Sequence, residues 1–380
     1  MRKVTVRMVM AASVALALGG LSACGGGGGA GAGAAGGDGG PGQPAPGTPS
    51  TPPTTPPAEP PPSTPPGAGC STAPADLSRL AIFPSDSPWR TNIAQAPLDA
   101  RSLAIISFLA QTNAPLFTDF GSGAWEGAPI GIPFVVVCDQ QPVNVSYRAN
   151  SRDGNYGDES DPGPMPIPLT APIEGNGAGD SHVIAVDAKN HKLYELYNAS
   201  LGAGGTGWSA SSGAQFDLDS NAQRPLCWTS ADAAGLPIFP GLLRYDEVAS
   251  GTVNHPVRFT LQSSRVSPSF TAPARHSVSG SNTSSSAPTP MGMRLRLKAG
   301  VDISGYSAAN RTILTAMKNY GIILADIGSN FYLSGAPDPR WDNSDLQKLR
   351  AIRPSDFEVV QMDRIYNPKV ASDAVLCGRQ

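Results

Sequence analysis

Charge, aromatic side chains and histidine are all scarce in this chain. Only 15% of residues are charged, 7% are aromatic and four are histidine. Basic residues are outnumbered, 27 against 30 acidic, and with Arg2, Lys3 and Arg7 set aside in the N-terminal leader the 27 become 24, a net charge of −6. That balance argues against a nucleic-acid backbone or an anionic lipid surface as the main partner. HExxH, CxxC and any paired Cys/His spacing are missing, which removes the sequence basis for tightly bound zinc or thiol redox chemistry. Without a glycine loop ending in lysine there is no phosphate cradle for a nucleotide, and without GxSxG there is no nucleophile elbow. The one sustained apolar run, 8–18, stops at Gly19 and Gly20, too short for a spanning helix.

Glycine and proline, in contrast, are abundant, 43 and 38 residues, and crowd into the first seventy positions. Residues 1–23 read as a lipoprotein signal peptide, with a basic start, an apolar run and small residues. Leu21-Ser22-Ala23-Cys24 resembles a bacterial lipobox, which implies a diacylglycerol on Cys24, attachment to a membrane through that lipid, and, with Gly25 rather than aspartate next, an outer-membrane or cell-surface, extracytoplasmic location. Residues 24–69 then form a lipidated, disordered Gly/Pro/Thr-rich stalk, because hardly any apolar side chain there can offset the entropy of folding. Its reach is on the order of 100 Å. The remaining 70–380 are expected to form a single extracytoplasmic domain.

Four further cysteines, Cys70, Cys138, Cys227 and Cys377, suit two disulfides in one of three connectivities. Cys70 opens the domain and Cys377 nearly closes it, so at least one bridge should pin a chain end to the body.

After an apolar helical spacing in RSLAIISFLAQ (101–111), short β-rich runs dominate: PFVVVC (133–138), VNVSYR (143–148), HVIAVD (182–187), KLYELY (192–197), AQFDL (214–218), VRFTLQ (257–262) and MRLRLK (293–298). The fold expected is mainly β, a β-sandwich or jelly-roll-like domain over 80–300, with a small α+β layer at 301–380. That layer holds a helix over 308–319, a strand GIILAD with NFYLSG as its hairpin partner, and a helix near 344–352. Ser230 is placed as a helix N-cap and 277–290 as a mobile loop.

Several strings, FPSDSPW (83–89), GDSHV (179–183), LYELY (193–197), the long run 216–248, PARH (273–276), MGMRLRLK (291–298) and SGAPDPRW (334–341), resemble those of a group of bacterial secreted proteins and lipoproteins. The resemblance covers nearly all of 80–360 and implies one extracellular fold. It brings no mechanism with it.

The chemistry must come from the residues. HVIAVD and KLYELY read as a hairpin closed by the loop 188–191, which sets Val186 opposite Leu193, Ile184 opposite Glu195 and His182 opposite Tyr197 on one face. Glu195 and His182 are then diagonal neighbours, roughly 7–8 Å apart, on an otherwise apolar surface. Either they are a hydrogen-bonded structural pair, or they are the acid and base of a sugar cleft with Glu195 raised toward neutrality. Asp217 and His276 are the second candidates, with turn capping and a loop-end histidine as their bland alternatives. DLDSN (217–221) supplies half of a calcium loop and lacks its Gly and terminal Glu. Tyr197, Arg275, Trp208 and Trp228 are the candidate substrate-binding residues, with Trp125 and Tyr245 as further stacking surfaces. Of Asp246 and Glu247, one should pair with Arg244 or Arg258. The expected function is a surface-anchored carbohydrate-active enzyme, a glycoside hydrolase or polysaccharide lyase, needing no cofactor and acting on a polysaccharide. The alternatives are a non-catalytic glycan- or protein-binding surface module and a calcium-stabilised structural lipoprotein.

Overall fold

A computed structural model of the protein describes residues 70–74, 77, 80–149 and 156–378. The signal peptide, Cys24 and the Gly/Pro-rich stalk lie outside the described residues. Strands form where apolar side chains alternate with polar ones or run unbroken. In chain order the principal ones are β1 (Phe117–Asp119), β2 (Val135–Val137), β3 (Val183–Asp187), β4 (Lys192–Tyr197), β5 (Ser212–Asp217), β6 (Val257–Leu261), β7 (Arg294–Leu297), β8 (Ile322–Ile327), β9 (Tyr332–Ser334) and β10 (Phe357–Val359). The larger sheet has six strands in the order β1-β9-β6-β8-β7-β10, and a second has four in the order β5-β4-β3-β2. Their apolar faces meet in one cluster that includes Ile184, Val186 and Leu193 from the second sheet and Phe259, Leu324 and Leu333 from the first.

Two helices cover the larger sheet. Helix α1 (Ser102–Ala110) is tied to the edge strand β10 by the Val359 N–H, which donates to the Ser102 hydroxyl at 2.8 Å. Helix α2 (Ala308–Asn319) spans the residues that periodicity indicates and buries Ile313, Leu314 and Met317. The Ser307 hydroxyl caps its N-terminus by accepting from the Asn310 N–H at 3.1 Å. Gly321 ends it at φ +77°, where a Cβ would lie 2.4 Å from the Leu295 carbonyl, so only glycine fits this left-handed exit.

The architecture departs from a β-sandwich. Strand and helix occur in nearly equal shares, 22% and 21%, the sheets are several, small and mixed, and none closes. In the larger sheet β1 runs parallel to β9 and β6 runs parallel to β8. Alternation reads identically for parallel and antiparallel neighbours, which is why pairing direction escaped the sequence. GIILAD and NFYLSG are not hairpin partners: β6 inserts between β8 and β9, pairing with both. The chain beyond residue 301 therefore completes the larger sheet and does not form a separate layer.

Smaller expectations also change. Ser230 caps no helix; its hydroxyl accepts from the Asp232 N–H at 2.9 Å within a turn. The segment 277–290 is held to the body, since the Asn282 N–H donates to the Val266 carbonyl at 3.0 Å and the Thr289 N–H to the Ser267 hydroxyl at 2.9 Å. The four cysteines pair Cys70–Cys138 and Cys227–Cys377, so each end of the described region is bridged to the body. Among the described residues no helix is long and apolar enough to cross a membrane.

Candidate functional site

The polar face of the larger sheet is where chemistry collects. Val257, Phe259 and Leu261 of β6 point into the core, so Arg258 and Thr260 point the other way. A bulge between Phe259 and Thr260 sets Asp326 of β8 beside Thr260. On the other side, β9 brings Tyr332 next to Thr260 and Ser334 next to Asp119 of β1. Asp119, Arg258, Thr260, Asp326, Tyr332 and Ser334 thereby share one face and line an open cleft of ≈ 390 Å³.

The opposite wall is the loop entering β3. Successive left-handed residues Gly175, Asn176, Gly177, Gly179 and Ser181 turn the chain tightly back on itself. The fold-back sets Glu174 against His182, and the two exchange backbone and side-chain bonds. A two-residue turn at Glu126 and Gly127, both at positive φ, joins Ala124–Trp125 to Ala128–Pro129 and holds Trp125 at the lip, 72% exposed. The Asn176 amide fastens this hairpin to the loop by donating to the Gly127 carbonyl at 2.9 Å.

Electrostatics separate the ionisable groups. His182 Nδ1 is 2.5 Å from Glu174 Oε2, and Nε2 is 3.1 Å from the Ala231 carbonyl, so both ring nitrogens face acceptors. Burial works against a charge on this ring, but the Glu174 carboxylate outweighs it and raises His182 to about 9. Burial would likewise raise Glu174; His182 and, at longer range, Arg258 reverse that and hold it below the usual carboxylate range. Arg258 donates from Nε to Asp232 at 2.8 Å and from Nη1 to the Ser334 hydroxyl at 2.8 Å, while Nη2 lies 3.7 Å from Asp326. Asp232, completely buried, takes the guanidinium. Asp326 is left with burial and the Asp232 charge against it and is pushed up to about 7. Asp119, at the rim, is pushed up to about 6 by the surrounding protein and by Glu174 and Asp180. The cleft thus offers carboxyl groups that hold a proton near neutrality beside one that does not.

The residues expected from sequence scatter. The hairpin register is as read, Ile184 opposite Glu195 and Val186 opposite Leu193. Glu195, however, is 0% exposed and sealed in the core, where it accepts from the Ile238 N–H at 2.9 Å and the Phe239 N–H at 2.8 Å. Its face of the sheet packs on 236–239, whose turn amides need an acceptor, so its role is structural. Burial raises it to about 7 even against those bonds. His182 does line the cleft but is 2% exposed with both nitrogens engaged, which makes it a positioning group for Glu174. Asp217 pairs across strands with Lys192 at 2.6 Å, and Asp219 with His191 at 2.9 Å. Nδ1 of His276 meets the Ala233 carbonyl at 2.8 Å. Neither Asp217 nor His276 lines the cleft, and nor do Tyr197, Arg275, Trp208 and Trp228. Trp208 is a core residue whose indole N–H donates to the Ile167 carbonyl at 3.1 Å. Trp228 lies under the Arg224 guanidinium, and Arg275 donates to the Arg224 carbonyl. Tyr197 packs 5.6 Å from the His182 ring. Glu247 takes Arg244, as expected, whereas Asp246 pairs with Arg340.

Asp119, Glu174, Asp180, Asp326 and the buried partner Asp232 were not singled out in the sequence. One signal pointed their way: GDSHV places Asp180 two residues before His182. Among the described residues no group of three or more His, Cys, Asp or Glu is placed to hold a metal ion. No protein-family model, curated protein or solved structure shows a significant match to the chain. The functional reading therefore rests on this geometry.

Proposed function

We propose that the protein is an extracytoplasmic, surface-anchored enzyme that hydrolyses glycosidic bonds, held to a membrane through lipid on Cys24. The observation that carries this reading is the cleft itself: Asp326 and Glu174 face one open hollow under opposite electrostatic influence, with an exposed indole at its lip. Asp326 serves as general acid, and Glu174, kept ionised by His182, serves as the base or nucleophile across the bond. Trp125 and Tyr332 offer aromatic faces to sugar rings. His182 is too thoroughly bonded to abstract a proton, which weighs against a lyase. The two disulfides fit an oxidising compartment.

A second reading is favoured by one observation. His182, Arg258 and Glu174 are all bonded to protein groups, as in a pre-formed binding site without turnover. The test is release of reducing ends from a panel of neutral and acidic polysaccharides. Asp326→Asn and Glu174→Gln should each lower the rate by about 10²-fold or more. Asp326→Asn should unfold near the wild-type temperature, and Glu174→Gln, which takes away the charge paired with His182, should be less stable and is assayed below its own unfolding temperature. A wild type that binds glycans and releases nothing would establish the binding module instead.

A further inference from the structure

MRLRLK forms β7 with two arginines on the face opposite Leu295 and Leu297, and their fates differ. Arg296 is fully engaged: Nε and Nη2 meet Glu358 at 2.8 and 2.7 Å, and Nη1 donates to the carbonyls of Ile93, Ala94 and Ala96. Arg294 has no acidic partner among the described residues and donates once, from Nη2 to the Pro88 carbonyl at 2.9 Å. Burial pushes it down to about 10.

Beside Arg294 opens a pocket of ≈ 320 Å³ that shares no lining residue with the acidic cleft. Thr271 in its wall is 1% exposed, and its hydroxyl has no hydrogen-bond partner among the described residues. A buried hydroxyl in that condition costs stability unless a ligand satisfies it. Ile93 and Met362 give the pocket apolar surface, and Asp86 and Asp363 also line it.

We propose that this pocket is a second binding site, which takes a small hydroxylated monocarboxylate, the uronic acid residue of an acidic glycan. The guanidinium of Arg294 has N–H groups left to grip a carboxylate in two-pronged fashion. The Thr271 hydroxyl supplies a further bond. Asp86 and Asp363 accept from sugar hydroxyls and repel a dianion such as phosphate. The apolar face of the ring lies against Ile93 and Met362. That the ligand is a sugar rests on the glycan reading of the cleft; that it carries a single carboxylate does not.

The test is calorimetric titration of the folded protein with sodium glucuronate, with glucose, acetate and inorganic phosphate as comparisons. Glucuronate should bind saturably, one molecule per chain, more weakly as salt rises, and at least about tenfold more tightly than glucose or phosphate. Arg294→Gln should weaken it about tenfold or more, and Arg294→Lys, which keeps the charge and loses the fork, should weaken it as well. Thr271→Val should weaken it several-fold, whereas Asp326→Asn in the cleft should leave it unchanged. No saturable binding, undiminished binding to Arg294→Lys, phosphate binding as tightly as glucuronate, or a loss that follows Asp326→Asn would each overturn the site. Acetate matching glucuronate would overturn the sugar. Failure of the cleft to turn over glycans leaves this titration untouched, so the two readings fail separately.

Discussion

Glu195→Gln should remove one contribution to the pH dependence of stability, because Glu195 holds a proton in the folded protein that it releases when the chain unfolds. The folded carboxyl titrates at about 7 against an ordinary 4.5. Since the folded value is the higher one, the stability linked to this proton is fully present below pH 4.5 and is lost as the pH rises through 7. The gap corresponds to about 3 kcal/mol. Glutamine abolishes the titration. Its carbonyl can still accept from the Phe239 and Ile238 amides, but its NH₂ replaces the oxygen that faces the Ile238 N–H at 2.9 Å, a cost of about 1 kcal/mol. The variant should therefore match wild type to within about 0.5 kcal/mol at pH 5 and be more stable by about 2 kcal/mol at pH 8. Urea unfolding of both proteins at matched pH values reads the difference directly. Asp326 and His182 titrate equally in both and cancel. A difference that stays constant from pH 5 to pH 8 would show that Glu195 carries no such proton and would refute the reasoning.

Two further outcomes follow from the site. Trp125→Ala should weaken glycan binding by about 0.5–1.5 kcal/mol and leave the unfolding temperature unchanged, because the indole is 72% exposed; affinity electrophoresis against unfolding scans separates the two. Arg258→Met should destabilise the fold by about 3–5 kcal/mol, since it strands the Asp232 carboxylate at 0% exposure, and Arg258→Met with Asp232→Leu should regain much of that loss in equilibrium unfolding.

The β3–β4 hairpin was readable because its two strands alternate cleanly and the loop 188–191 leaves one register, which the structure reproduces. What lies above that hairpin was not readable. Whether the face carrying Glu195 meets solvent depends on 236–239 returning over it, a contact across more than forty residues of chain that local pattern does not encode. The same holds for Asp326. It ends an apolar run and looks like a solvated strand terminus, and becomes part of a cleft only because β6, more than sixty residues earlier in the chain, bulges and pairs beside it. Glu174 needed a series of left-handed residues to reach His182, and these span glycine, asparagine and serine. The helix over 308–319 was fully legible because its cap, its apolar spacing and its terminal glycine are all local.

The pH dependence of glycan hydrolysis by wild type and Asp326→Asn tests the central claim most directly. The account predicts that wild-type kcat/KM falls as the pH rises through about 7, where Asp326 loses its proton, while an acid limb from Glu174 lies below the usual carboxylate range. The variant should stay folded, keep its affinity for the glycan and show no alkaline limb near 7 in its residual rate. Turnover by Asp326→Asn at the wild-type rate, with the same fall near pH 7, would contradict it.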